Sequence, residues 1–157
     1  MINKKIIRTA ITVILLSFIT YTRLHIKDNY EYKGHGSYGG DVLIGHRLYK
    51  AYVADDEIQR SKGLGGRPKL ADNELMAFFF ERPDKYGIWM KDMSFPIDIL
   101  WIDDSYKIVF MNNDAQPDSY PEVFLPTTST HIILEANSDF IEKNNLKIGD
   151  NVVFKNF

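Results

Sequence analysis

The run Ile88-Trp89-Met90-Lys91-Asp92-Met93-Ser94-Phe95-Pro96-Ile97-Asp98-Ile99-Leu100-Trp101-Ile102-Asp103 constrains this chain more than any other stretch. It sets charged side chains among large apolar ones, in a segment with the composition of β-strands. Burying an unpaired charge is expensive. Lys91, Asp92, Asp98 and Asp103 must therefore have partners, face water or face a ligand. The run points to a β-rich fold with a polar feature at the ends of its strands.

A chain of 157 residues fits one domain with a modest core. Apolar residues make up 45%, with ten Phe and nine Tyr, which is enough to fold without covalent staples. The absence of cysteine excludes disulfides, a thiolate nucleophile, a Cys-based zinc site and a lipidated N-terminal Cys. The net charge of −2 hides an asymmetry. Residues 1–27 hold Lys4, Lys5, Arg8, Arg23 and Lys27 and no acidic residue. Downstream, 14 basic residues face all 21 acidic ones, a formal −7. Such a domain disfavours nucleic acid, whose phosphates attract basic surfaces.

Lys4, Lys5 and Arg8 precede thirteen uncharged residues, Thr9 to Tyr21. A basic segment followed by a short apolar one is the layout of a secretory signal. The following Tyr21-Thr22-Arg23-Leu24-His25 offers no small-x-small cleavage site. We expect residues 1–24 to be an uncleaved signal-anchor, its basic end in the cytoplasm and the C-terminal domain outside it. Cleavage would instead release a secreted domain. Residues 25–41, rich in Tyr, Gly and charge, read as a flexible tether, and the single domain is expected over 42–157.

Within that domain, Val42 to Ala54 reads as strand, broken near Gly45-His46. Asp55 or Asp56 can cap a helix over 57–62 that Gly63 ends. Strands are expected over 75–80, 87–90, 97–102, 107–111, 131–136 and 151–154. Asp103 to Tyr106 reads as a tight turn, and Asn112 to Thr130 as a long loop. Ser138 or Asp139 can cap a last short helix. The fold class is mostly β with short helices, a compact barrel-like domain behind the anchor.

Four blocks of the chain resemble an uncharacterised prokaryotic family, domain of unknown function 192. The first runs from Val53-Ala54-Asp55 through Arg60 to Gly63-Leu64 and Arg67. The second joins Trp89-Met90-Lys91 to Phe95-Pro96-Ile97-Asp98-Ile99 and the third is Trp101-Ile102-Asp103. The fourth is Leu134-Glu135-Ala136-Asn137, followed by Leu146-Lys147-Ile148-Gly149-Asp150. The resemblance implies a compact β-rich domain, often behind a signal or anchor, and carries no catalytic residues. Asp92 departs from it where Asn or Gly is frequent, and Asp139 departs where Gly is frequent.

Five residues stand out as candidate ligand contacts: Arg60, Arg67, Lys91, Asp98 and Asp103. If strand 87–90 pairs with strand 97–102, Lys91 and Asp98 approach each other. They then form either a polar pocket or a structural ion pair fixing the Ser94-Phe95-Pro96 turn. Arg60 and Arg67 flank Gly63-Leu64-Gly65-Gly66, which either cradles an anion or is a helix terminus with solvated arginines. His46 and His131 lack ligand spacing, so no metal site is expected. No phosphate-loop or nucleophile-elbow frame is present, Ser94 included, and no cofactor is expected. Trp89, Trp101 and Phe78-Phe79-Phe80 read as core before they read as a sugar-stacking platform.

The function expected first is a non-catalytic binding or accessory module for a small polar ligand or an envelope partner. The alternative is a hydrolase-type enzyme using Asp98 or Asp103 as acid or base. An enzyme needs a concave pocket holding a carboxylate of perturbed pKa, whereas a binding module does not.

Overall fold

The structure is a computed structural model that describes Ser17 and residues 36–157. The expected signal-anchor, Ser17 apart, and the tether up to residue 35 lie outside the described residues. Among the described residues no helix is long and apolar enough to cross a membrane. The fold below is that of the unit Gly34–Phe157.

A hairpin opens the domain: β1 (Ser37–Ile44) and β2 (Arg47–Ala54), joined at Gly45-His46, where the sequence breaks. Residues 37–41, expected as tether, are therefore strand. Their glycines mislead because they answer a close approach rather than a need for flexibility. A side chain at Gly40 would collide with the Lys155 carbonyl oxygen and the Phe157 ring.

Helix α1 (Glu57–Lys62) follows, with Asp56 Oδ1 accepting the Gln59 N–H at 2.7 Å. Gly63 ends it, as its sequence predicts. The chain then crosses over to β3 (Glu74–Asp84), which lies parallel to β2. β3 extends four residues beyond the expected end at Phe80.

β4 (Ile88–Trp89) does not pair with β5 (Ile97–Ile102). Its partner is β7 (Val123–Phe124), inside the expected long loop. That loop also yields the end of β6 (Ile108–Ala115) and a 3-10 turn, Pro117–Ser119. β8 (Thr130–Asn137), α2 (Phe140–Lys143) and β9 (Val152–Lys155) complete the domain.

The main sheet runs β6-β5-β8-β3-β2-β1-β9. It curls into a half-barrel, so that its two edges touch at one end. There the Ile108 N–H donates to the Asp150 carbonyl and the Val152 N–H to the Tyr106 carbonyl. Strand alternation sorts the apolar side chains into two cores. The inner one takes residues from all seven strands, among them Leu75, Ala77, Leu100, Ile102, Ile132 and Leu134, and adds Phe140 and Ile141 of α2. The outer one takes Met76, Phe78, Ile97, Ile99, Trp101 and Ile133, covered by Leu64, Leu70, Ile88 and Met90 from the connections. The domain is thus mostly β with two short helices, as the sequence indicates.

Candidate functional site

Glu135 sits in the middle of β8, between β3 and β5, where Met76 and Ile99 stand at its register. Its neighbours along the strand, Leu134 and Ala136, point into the inner core. Glu135 therefore points to the outer face, and it is only 4% exposed. Its Oε2 is buried and has no hydrogen-bond partner. Burial pushes the carboxyl up to about 8, although the Arg67 guanidinium pulls the other way. At neutral pH the group is therefore mostly a neutral acid, a hydrogen-bond donor as well as an acceptor.

A small cleft opens over this carboxyl. Arg60, Lys62, Gly63 and Gly65 line it from the crossover, and Trp89, Lys91 and Met93 from the segment around β4. Its volume, about 20 Å³, suits one water or one oxygen atom of a ligand.

Two turns are sewn together to make the walls. The Gly66 N–H donates to the Asp92 carbonyl at 2.8 Å, and Ser94 Oγ donates to the Arg67 carbonyl at 2.9 Å. Gly65 permits the contact: a Cβ there would lie 2.9 Å from the carbonyl oxygens of Lys62 and Lys91. Arg60 is held by its Nη1, which donates to the carbonyls of Asp55 and Phe79, and its guanidinium lies 5.2 Å from the Phe80 ring centre. Arg67 is 3% exposed and lies 4.8 Å from the centre of the Tyr52 ring. Lys91 Nζ lies 5.9 Å from the centre of the Trp89 ring. Trp89 itself is 45% exposed, unlike the buried Trp101, whose Nε1 donates to the Tyr86 carbonyl.

Three of the five candidates thus converge. Arg60 and Lys91 line the cleft, and Arg67 acts on its carboxyl. The structure separates the other two. Asp98 lies on the opposite face of the sheet from Lys91 and forms no ion pair with it. Its Oδ1 accepts the Asp114 N–H and its Oδ2 the Ile141 N–H, both at 2.8 Å. Burial raises its pKa, and the two backbone N–H groups oppose the rise. Asp98 is a brace: it ties β5 to β6 and holds the first turn of α2.

The expected cap of α2 is corrected accordingly. Asp139 occupies the N-cap position at φ 74 with no capping hydrogen bond, and it pairs with Lys143 at 2.9 Å instead. Asp103 Oδ1 accepts the N–H groups of Ser105 and Lys107 and so shapes the β5–β6 turn. Of the two histidines considered, His46 lies in the β1–β2 turn, and His131 Nδ1 lies 2.7 Å from Asp104 Oδ1. Among the described residues no group of three or more His, Asp or Glu has metal-binding geometry.

The residue missed among the sequence candidates is Glu135. A lone acid in the apolar strand His131 to Ala136 was the available signal, since such a position needs either a partner or a purpose.

The domain has relatives of known structure. A protein of unknown function from Novosphingobium aromaticivorans DSM 12444 is similar with a TM-score of 0.67 and 25% identity, over 72% of this chain and 83% of that one. A proposed transcription regulator from Sinorhizobium meliloti 1021 reaches a TM-score of 0.70 at 24% identity, over 77% of this chain and 98% of that one. At that identity the likeness shows the fold alone. No curated protein matches the chain. The model of the family DUF192, described as uncharacterized ACR, matches residues 42–154, which include the cleft, its glycine loop and Glu135. This chain belongs to the family of domain of unknown function 192.

Proposed function

We propose that this protein is a membrane-anchored extracytoplasmic binding module, and that its small polar ligand docks in the cleft over Glu135. The observation that carries the reading is the buried Glu135 Oε2, without a hydrogen-bond partner and at the base of an opening lined by basic and aromatic side chains. A buried polar atom without a partner costs about 1–3 kcal/mol, which a ligand group supplying the missing bond would relieve. The basic N-terminus and the uncharged stretch behind it support the anchor and its orientation.

The thermal midpoint of the full chain, measured against metabolites, sugars, nucleotides and metals, tests this reading. A ligand that raises the midpoint of the wild type and not of Lys91→Ala supports it. A flat screen on folded protein overturns it in favour of an envelope protein partner or a structural role. Protease accessibility of the domain in intact cells tests its placement outside the cytoplasm.

The enzymatic alternative moves to a different residue. Asp98 and Asp103 are committed to backbone N–H groups, so an acid or base would have to be Glu135. Its raised pKa favours that second reading. The size of the cleft favours binding, because it admits one polar atom rather than a reacting bond with its water. Turnover of any ligand found in the screen, lost in Glu135→Gln, would decide for the enzyme.

A further inference from the structure

We infer that the group bound in this cleft is an oxyanion, a carboxylate or phosphate carried by a small molecule. The inference rests on reading the cleft as a binding site and names what that site selects.

Charge gives the first argument. The domain is acidic overall, yet Arg60, Lys62 and Lys91 line the cleft and Glu135 is its one acid. A cationic ligand would meet three like charges at the mouth, and an anion meets three opposite ones.

The base of the cleft gives the second. Glu135 Oε2 lies 3.6 Å from the position a Cβ on Gly63 would take, with no hydrogen-bond partner of its own. A neutral carboxyl there donates its O–H to an anionic oxygen. The other ionisable groups that line the cleft are basic, Arg60 and Lys62 on α1 and Lys91 after β4, and Arg67 on the crossover acts on the carboxyl; Asp92 stands behind the Gly65 wall and is not in the lining. The flanking strands present Met76 and Ile99 at its level, so no second carboxylate competes for the anion.

Shape gives the third. The space admits one oxygen with the rest of the ligand outside, as a terminal carboxylate or phosphate allows. A neutral sugar would instead want an open aromatic face, and Lys91 sits over Trp89.

Calorimetric titration of the full chain with inorganic phosphate, citrate, glycerol and methylguanidinium at pH 6.5 and pH 9 tests the inference. Phosphate or citrate should bind at pH 6.5 and lose affinity at pH 9, where Glu135 ionises and repels the anion. Lys91→Ala should weaken binding about tenfold, the size of one charge-assisted hydrogen bond. Glu135→Gln keeps a neutral donor and should retain binding at pH 9. Vesicles of phosphatidylglycerol and of phosphatidylcholine separate the sources. Attachment to the former that Lys91→Ala weakens assigns the oxyanion to a lipid headgroup. Binding of the free anions without such attachment assigns it to a soluble metabolite. Glycerol binding lost in Lys91→Ala, or methylguanidinium binding lost in Glu135→Gln, with neither oxyanion bound, overturns the oxyanion and leaves the binding site standing. No binding by any probe overturns both.

Discussion

Replacing Glu135 by Gln isolates the energetic burden of the cleft. The carboxyl has an ordinary value of 4.5 and is pushed up to about 8 in the folded chain. Between those values the native state holds a proton that the unfolded state has released. Stability therefore falls as pH rises through this window. At pH 4 the group contributes no penalty. By pH 9 it contributes all of it, about 5 kcal/mol at 1.36 kcal/mol per unit of pKa. A glutamine has nearly the same shape and never ionises. Urea unfolding of the full chain in mild detergent, at pH 5 and pH 9, should show the wild type several kcal/mol weaker at pH 9. Glu135→Gln should flatten most of that difference and exceed the wild type at pH 9. The opposite outcome has a clear meaning. If Glu135→Gln is the less stable protein at pH 9, Glu135 is ionised and paired with Arg67, and the neutral-acid account fails.

Further substitutions address the supports of the site. Asp98→Asn sets an amide donor against a backbone N–H in a buried position and should cost about 2 kcal/mol, lowering the melting temperature by roughly 8 °C; an unchanged melting temperature would remove the brace assigned to Asp98. Asp92 sits at φ 58, so Asp92→Gly should stabilise the domain by about 0.5–1 kcal/mol in denaturant titrations, and a loss of stability would mean that its side chain matters more than its backbone. Gly65→Ala drives a methyl group toward two carbonyl oxygens and should cost about 1–3 kcal/mol, whereas a neutral effect would show that the two turns are not in tight contact.

Much of the framework is legible in local patterns. The β1–β2 hairpin, the Asp56 cap, the glycine that ends α1 and the turn after β5 all depend on residues a few positions apart. Pairing between distant segments is not legible in that way. The sequence cannot distinguish β5 from β7 as the partner of β4, and the Lys91–Asp98 approach depends on the first choice. Alternation within β5 does place Asp98 with Leu100 and Ile102, away from Trp101, but only the fold reveals which face receives α2. Asp92 and Asp139 stand where the resemblance implies Asn or Gly and Gly respectively, and both have positive φ, a backbone conformation those residues adopt most readily. Glu135 escapes because its strand reads as ordinary core, with nothing nearby in sequence to announce Arg67 beside it.

The parallel pairing of β2 with β3 has a consequence for how the cleft can fail. A hairpin closes from its own ends, but a parallel strand arrives only after its connection has been laid down elsewhere. Here the connection is residues 55–73, and it supplies Arg60, Lys62, the glycines and Arg67. The chain therefore cannot finish the middle of its sheet without also building the wall of the cleft. Opening of that wall and separation of β2 from β3 should belong to one cooperative unit, so that the amides of Gly66 and of Lys50, which donates to the Asn73 carbonyl just before β3, exchange with solvent hydrogen together. Occupancy of the cleft would then report on the integrity of the whole sheet, and a bound ligand would act as a clasp on it.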